Sequence, residues 1–519
     1  MEPPALRLGT VLALLAGLAP GGAAAWDPPA RPGHETAKIH ACVRLPGLSD
    51  PLEVASRLAA LAPAARRERL VAVLRSEAQE AAAPFVARLR GTQPELLWGA
   101  GVVCAWAPRA VFEGIAASGA EVIDDPPRID AEIDDSSGPN QSVPPEPPLV
   151  SLHVPEAWDR GFTGESVVVA LIDTGIDLTH PDLAGQVWTN PGEIPNNGID
   201  DDGNGYIDDV HGWNFSGNNN DVSDQSGHGT DTAGLLAGNG ASGSQTGAAP
   251  DVRIMVLRRG TTESAMWAAA QYAVANGAQV ISQSSSWRWS FSPRPDYPSW
   301  RRQAATELAA GVIHVNSAGN NGTSLDTDPV PYNVSAPANC PPPWIPPDQS
   351  PAGGVSSIVA AGNVDAKSLL IVDNSSYGPA EWTDIRAHRD PSYPYTMPPE
   401  FQDYPDWGGA TGLLKPDLVA PGDNSLTTRL GGGYETFGGT SASAPRLAAI
   451  LALMRQAVPT AAPADLYRAR EQTARDLGTG GRDVRYGAGI ADANAAIDAA
   501  KPPTARTART SASTSSRVL

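Results

Sequence analysis

Four stretches of this sequence carry side chains that could do chemistry. The first is NNGIDDDGNGYIDD, residues 196–209, with five carboxylates between Asp200 and Asp209. Like charges this close repel unless a cation sits between them. Asp200-x-Asp202-x-Asn204-Gly205 has the spacing that opens an EF-hand-type calcium loop. Tyr206 falls at the position that offers a backbone carbonyl, and Asp208 follows two residues on. His211 stands where such a loop closes with glutamate, so Asp209 is the substitute carboxylate. Hard oxygen donors at alternating positions suit Ca2+ far better than Zn2+. The plain alternative is a solvated acidic turn.

The other three stretches each hold one polar residue at the edge of an apolar element. VVVALIDTGID puts Asp173 at the end of a strand-like run, and SGHGTDTAGLLAG puts His228 between glycines at the start of an apolar helix. FGGTSASAPRLAAILALM puts Ser441 at the entry to a long buried helix. Taken singly, each has an ordinary explanation. A strand-end aspartate caps a helix or ties a loop, a histidine there is structural, and a serine is an N-cap.

The elements that must position them follow from the apolar pattern. From about residue 150 to 500, strand-length runs (SVVVALID, VRIMVL, AQVISQS, GVIHVNSAG, SSIVAAGN) alternate with helical stretches. Two of those helices, SAMWAAAQYAVANG and PSWRRQAATELAAG, end in the glycine expected past a helix C-terminus. Uninterrupted Val/Ile runs indicate strands buried on both faces. The expected fold is therefore α/β, a doubly wound, mostly parallel sheet between helix layers. In such a sheet functional groups collect at the carboxyl ends of the strands, where these motifs fall.

Residues 37–128 alternate differently. KIHACVRL, LWGAGVVCAWA and EVIDD read as strands, with helices over RERLVAVLRSEAQEAAAPFVARLR and PRAVFEGIAASGA. This predicts a small α+β domain over 26–128. Residues 129–149 are acidic and Pro/Ser-rich, an exposed linker of the kind proteases cut. Residues 1–25 read as a secretory signal: Arg7, an apolar run too short to be a good membrane span, then Ala23–Ala25. The basic, low-complexity tail, residues 501–519, is expected to be disordered.

Composition bounds the partners. The 519 residues are 41% hydrophobic and 18% charged, with a net charge of −20. That acidity argues against nucleic acid and anionic membranes. Cys42 and Cys104 lie in short apolar stretches and either pair or remain buried thiols; Cys340 has no evident mate in a Pro-rich loop.

Asp173, His228 and Ser441, in that order and in these contexts, resemble the subtilisin-like serine peptidases, the subtilases. VIHVNSAGNNG adds Asn320, which matches that family's oxyanion-hole asparagine. The resemblance covers residues 150–500 and implies the subtilisin-like, three-layer form of the sheet. It implies a secreted monomeric endopeptidase, extracellular or in the cell envelope, acting on protein or peptide substrates. Ser441 would be nucleophile, His228 general base and acid, and Asp173 the group that orients the imidazole. It also implies that residues 26–128 are an inhibitory, fold-assisting propeptide, against the alternative of an unrelated permanent domain. Structural calcium in surface loops is common in the family, which is consistent with the acidic loop. The rival reading is a catalytically inactive, peptide-binding homologue.

The sequence departs from the family pattern in places. Asp231 and Thr232 replace a second histidine and a valine, and Asp231 one helical turn from His228 would raise the imidazole pKa. GGTSASAP also resembles the acid-active sedolisins, but GHGT and SAGN argue against that family. SQSSSWRW, residues 282–289, stands where a Ser-Leu-Gly type sequence is common; Trp287 and Trp289 either shape specificity pockets or pack under a loop. The loop at 322–355 is proline-stiffened and expected to wall the cleft, and Asn333 begins a glycosylation pattern for a host that glycosylates.

Overall fold

The computed structural model describes residues 38–128, 147–291, 293–340, 358–380 and 414–501. The expected signal segment, most of the linker, residues 341–355 of the proline-rich loop and all of the tail beyond Lys501 lie outside the described residues.

The N-terminal unit is a four-stranded sheet carrying helices. Its strands are β1 (Lys38–Arg44), β2 (Glu95–Leu97), β3 (Val102–Pro108) and β4 (Val122–Asp124), in the order β2-β3-β1-β4. Its helices are α1 (Pro51–Arg57), α2 (Pro63–Arg88) and α3 (Arg109–Ala116). The run LWGAGVVCAWA is not one strand. A turn at residues 98–101 splits it, with Gly101 at φ 74°. Cys42 and Cys104 face each other across the β1–β3 pair and form a disulfide, which settles their two readings.

Two short helices, α4 (Pro147–Ser151) and α5 (Val154–Trp158), lead into the main domain. Among the described residues its sheet has seven strands, β5 (Val168–Asp173), β6 (Gly212–Asn214), β7 (Arg253–Arg258), β8 (Val280–Gln283), β9 (Ile313–Ser317), β10 (Ile358–Asp365) and β11 (Leu418–Asp423). They pair in parallel, in the order β11-β10-β9-β8-β5-β7-β6. A hairpin of β12 (Ser425–Thr428) and β13 (Tyr434–Phe437) follows. The helices are α6 (His228–Ala237), α7 (Glu263–Ala275), α8 (Tyr297–Ala309), α9 (Thr440–Ala457), α10 (Pro463–Thr473) and α11 (Ala493–Ala500).

Successive residues of a strand point to opposite faces, and the core divides accordingly. Val169 and Leu171 of β5 pack with α6 and α9 on one face, while Ala170 and Ile172 pack with α7 on the other. Burial on both faces is what the continuous Val/Ile runs required. Helix α9 is almost wholly buried, down to Arg446, whose guanidinium donates to the Pro421 carbonyl and Ser425 Oγ.

The N-terminal unit sits on α7 and α8 with its apolar residues in shared clusters. Val43 and Val103 join Ala270 and Tyr272, and Leu97 joins Trp267 and Trp300. Polar contacts reach both ends of the two helices. Asp125 accepts from the Glu263 and Ser264 N–H groups at the start of α7, at 2.9 and 3.3 Å. Arg44 grips Asp296, the N-cap of α8, at 2.9 and 3.0 Å. Arg67 donates to the Ala278 and Ala310 carbonyls just past the two C-termini. An anion at a helix start and a cation at helix ends both match the helix dipoles.

Candidate active site

The backbone brings the four candidate residues to the carboxyl edge of the sheet by local means. Asp173 is the last residue of β5, and Asn320 lies three residues beyond β9. His228 opens α6, after Gly227 at φ 104°, a conformation that requires glycine. Ser441 is the second residue of α9, in a first turn whose N–H groups have no partner within the helix.

Asp173 and His228 are joined directly. His228 Nδ1 lies 2.7 Å from Asp173 Oδ1, with both side chains buried. The Thr174 N–H donates to the same oxygen at 2.8 Å, and Thr232 Oγ1 donates to Asp173 Oδ2 at 3.0 Å. Asp224 steadies the start of α6 by accepting from the Gly227 and Thr230 N–H groups and from the Thr174 and Thr230 hydroxyls. Burial pulls the His228 pKa down, but the charge and hydrogen bond of Asp173, with Asp231 and Asp224 beyond, outweigh it and leave it raised.

Asn320 is oriented by Thr440. Its Oδ1 accepts from the Thr440 N–H and from Thr440 Oγ1, both at 2.9 Å, which leaves Nδ2 as the outward donor. A side chain on Gly439 would put its Cβ 2.8 Å from Asn320 Nδ2. Glycine there, at φ 78°, keeps that donor's space open. Ser441 is held by Ser284: its Oγ donates to the Ser284 carbonyl at 3.4 Å, and Ser284 Oγ donates to the Ser441 carbonyl at 3.0 Å. The edge of the Phe437 ring meets His228 at 5.3 Å between centroids, linking the imidazole to the segment that enters α9. Among the described residues no hydrogen bond joins Ser441 Oγ to His228; Oγ rests on the Ser284 carbonyl, and a nucleophile–base contact of this kind tightens when substrate arrives.

The acidic loop folds differently from the expected ligand order. Oxygens of Glu193, Asp200 and Asp202 gather within 4.8 Å of one another. Glu193 was not visible in the motif because it precedes it. One of its oxygens, Oε2, is buried and has no hydrogen-bond partner among the described residues. Asn204 bonds through its side chain to Asp202 and Asp209. Asp208 instead accepts from the Asn197 and Gly198 N–H groups, and Asp209 is buried against Asn190, Asn204 and the Tyr272 hydroxyl. The Tyr206 ring packs against Trp213 and Tyr272. Asp208 and Asp209 thus shape the loop, while three other carboxylates make a cluster whose oxygen donors fit a hard cation.

Two further expectations meet the structure here. Trp289 stacks on Tyr332 at 4.3 Å under the Arg294 guanidinium, so it packs beneath a loop. Asn333 is buried; its amide donates to the Asn321 and Asp328 carbonyls and accepts from the Tyr377 N–H, so it is not presented for glycosylation.

A parallel α/β sheet with aspartate, histidine and serine along its carboxyl edge defines the protein's class: a serine-type endopeptidase. The profile of the Subtilase family matches residues 164–489. The chain belongs to the subtilase family. Similar proteins include the major intracellular serine protease of Bacillus subtilis (strain 168), 26% identical over 59% of this chain and 73% of that protein. The thermophilic serine proteinase of Bacillus sp. (strain AK1) is 28% identical over 64% of this chain and 62% of its own length. Mycosin-1 of Mycobacterium tuberculosis (strain ATCC 25618 / H37Rv) is 28% identical over 69% of this chain and 74% of its own.

Proposed function

We propose that the protein is an exported endopeptidase that cuts protein or peptide substrates through an acyl-enzyme on Ser441. The observation that carries this is the buried 2.7 Å Asp173–His228 bond, formed on the same sheet edge as Ser441 and an oriented Asn320. Ser441 Oγ attacks the scissile carbonyl carbon while its proton passes to His228 Nε2. Asp173 holds Nδ1–H and stabilises the imidazolium. The tetrahedral oxyanion takes hydrogen bonds from Asn320 Nδ2 and the Ser441 N–H; in a subtilisin such an asparagine is worth about 100- to 1000-fold in turnover. The C–N bond then breaks, His228 protonates the leaving amine, and an ester to Ser441 remains. Water, deprotonated by His228, attacks that ester; the C–O bond to Ser441 breaks, His228 returns the proton to Ser441 Oγ, and the acid leaves.

The N-terminal unit, residues 38–128, fits an inhibitory propeptide, since it docks on α7 and α8 through non-covalent contacts alone, and a cut in the linker would leave it free to dissociate. Among the described residues no helix is long and apolar enough to cross a membrane, which is compatible with export. Glu193, Asp200 and Asp202 would hold a structural Ca2+, supported by the buried, unpartnered Glu193 oxygen. The ion would neutralise the loop and takes no part in bond cleavage.

The test is casein hydrolysis by the processed protein. Ser441→Ala should lower turnover by roughly 10⁶-fold. Equal activity in both proteins would overturn the mechanism, and inactivity of both would favour a peptide-binding homologue.

A further inference from the structure

Arg128 lies just beyond β4, at the end of the described N-terminal unit, and is held in two ways. Its backbone N–H donates to the Thr261 carbonyl at 2.7 Å, as one strand would to another. Its guanidinium lies over two rings, 4.6 Å from the centroid of Phe291 and 5.1 Å from that of Trp287. The rings meet edge to face at 5.8 Å, and Arg128 Nη2 donates to the Pro293 carbonyl at 2.7 Å. The Trp287 backbone is paired both ways with Ala336, at 2.7 and 2.9 Å, so this wall is fixed from outside the Arg128 contact.

The segments that hold Arg128 continue from the strands beside the candidate active site. Thr261 follows β7 and Trp287 follows β8, the two strands that flank β5 and Asp173. Ser284, which touches Ser441, precedes Trp287 by three residues, roughly 10 Å of extended chain. A peptide laid along this segment with its scissile bond at Ser441 would put a side chain several residues upstream into the place Arg128 occupies.

The walls suit one side-chain chemistry. Two aromatic faces attract a flat, weakly hydrated cation, and the Pro293 carbonyl accepts one arm of its fork. An ammonium lacks the fork, an aliphatic chain leaves the carbonyl without its donor, and a carboxylate is repelled by both ring faces and carbonyl. We propose that Trp287, Phe291 and the Pro293 carbonyl form an arginine-selective substrate pocket upstream of the scissile bond, filled in the precursor by Arg128. This rests on the peptidase reading given above. If Arg128 is merely a tether for the N-terminal unit, the processed enzyme has no preference for arginine.

The experiment uses peptides that carry Arg, Lys, Leu, Ala or Glu in turn at each position before the scissile bond. With processed enzyme, one position, about three to four residues upstream, should favour arginine over alanine by about tenfold in kcat/KM. Trp287→Leu and Phe291→Leu should each reduce the arginine-to-leucine ratio several-fold. Indifference to arginine at every position, in an enzyme that cuts casein, overturns the pocket and leaves the peptidase reading intact. So does a ratio unchanged in both variants. The same peptides are titrated by tryptophan fluorescence onto a Ser441→Ala protein whose linker, residues 129–149, has been cut by an added protease and whose N-terminal unit has been washed away, a readout that needs no cleavage of the peptides. Tighter binding of the arginine peptide supports the pocket, and equal affinity for arginine and glutamate peptides overturns it whether or not the wild type is active.

Discussion

Around His228 the residue scale is an arrangement of carboxylates. Asp173 binds the imidazole directly, and Asp231 and Asp224 act through space. All three favour the charged ring, and they outweigh the burial that disfavours it. Asp231→Asn removes one of those negative charges, so the imidazolium is less stabilised and the pKa falls. A base must be neutral to take the serine proton. The acidic limb of the kcat/KM profile should therefore move to lower pH, with the Asp173 bond untouched. A limb that stays in place would mean that Asp231 carries no charge near the site. The four residues expected to do chemistry were legible because each lies in a short motif. Their supports were not. Thr232, Ser284 and Thr440 act on partners 59, 157 and 120 residues away, and no local spacing encodes such contacts.

At the scale of elements, periodicity located the strands and helices but not their breaks. The Val/Ile runs became β5, β7, β8, β9 and β10 because burial on both faces leaves few other structures for them. LWGAGVVCAWA concealed a turn because Trp98, Ala100 and Val102 are all buried, so hydropathy does not dip where the chain reverses. The acidic loop shows the same limit. Its spacing indicated a cation site, but the clustered carboxylates include Glu193, outside the repeat, and exclude Asp208. This loop lies between β5 and β6, on the connection from Asp173 to His228, so a bound ion would clamp the path between them. Calcium at about a hundred times its dissociation constant stabilises by about 2.7 kcal/mol. For a domain of this size that is roughly 5 °C in Tm. A chelator should lower Tm by about that much and speed autolysis. Glu193→Gln should weaken the response to added Ca2+, read by calorimetry with and without chelator. A Tm indifferent to calcium would reduce the loop to a solvated acidic turn.

At the scale of the whole molecule, the boundary between the N-terminal unit and α7–α8 is apolar in area but acid–base in its polar contacts. His40 Nδ1 lies 3.1 Å from Asp125 Oδ2, and the same Asp125 reaches the α7 N-terminus. Burial lowers the His40 pKa, yet the Asp125 hydrogen bond and charge raise it further, so the docked histidine holds its proton more tightly than a free one. Glu263 is buried at the same boundary and held well above the carboxylate range, by burial first and then by the charges of Asp296 and Asp125. Both groups keep protons in the folded state that they would lose in the unfolded chain; His40 and Asp125 belong to the same unit, so their pair bears on the stability of that unit. Proton linkage then fixes the sign: the fold around each group has its full support below that group's ordinary value and loses it as pH rises through the raised value. The N-terminal unit around His40 should be best protected in mild acid and lose stability as pH rises through the histidine range. Hydrogen exchange on the Ser441→Ala precursor, corrected for intrinsic rates, should show β4 and the start of α7 losing protection between about pH 6 and pH 8. His40→Gln should flatten that dependence, because the variant has no proton to lose there. Protection that is constant across the range, or a loss that His40→Gln and Glu263→Gln both leave unchanged, would remove these two groups from control of the boundary. The Arg44–Asp296 pair and the apolar clusters would then be what holds the unit in place.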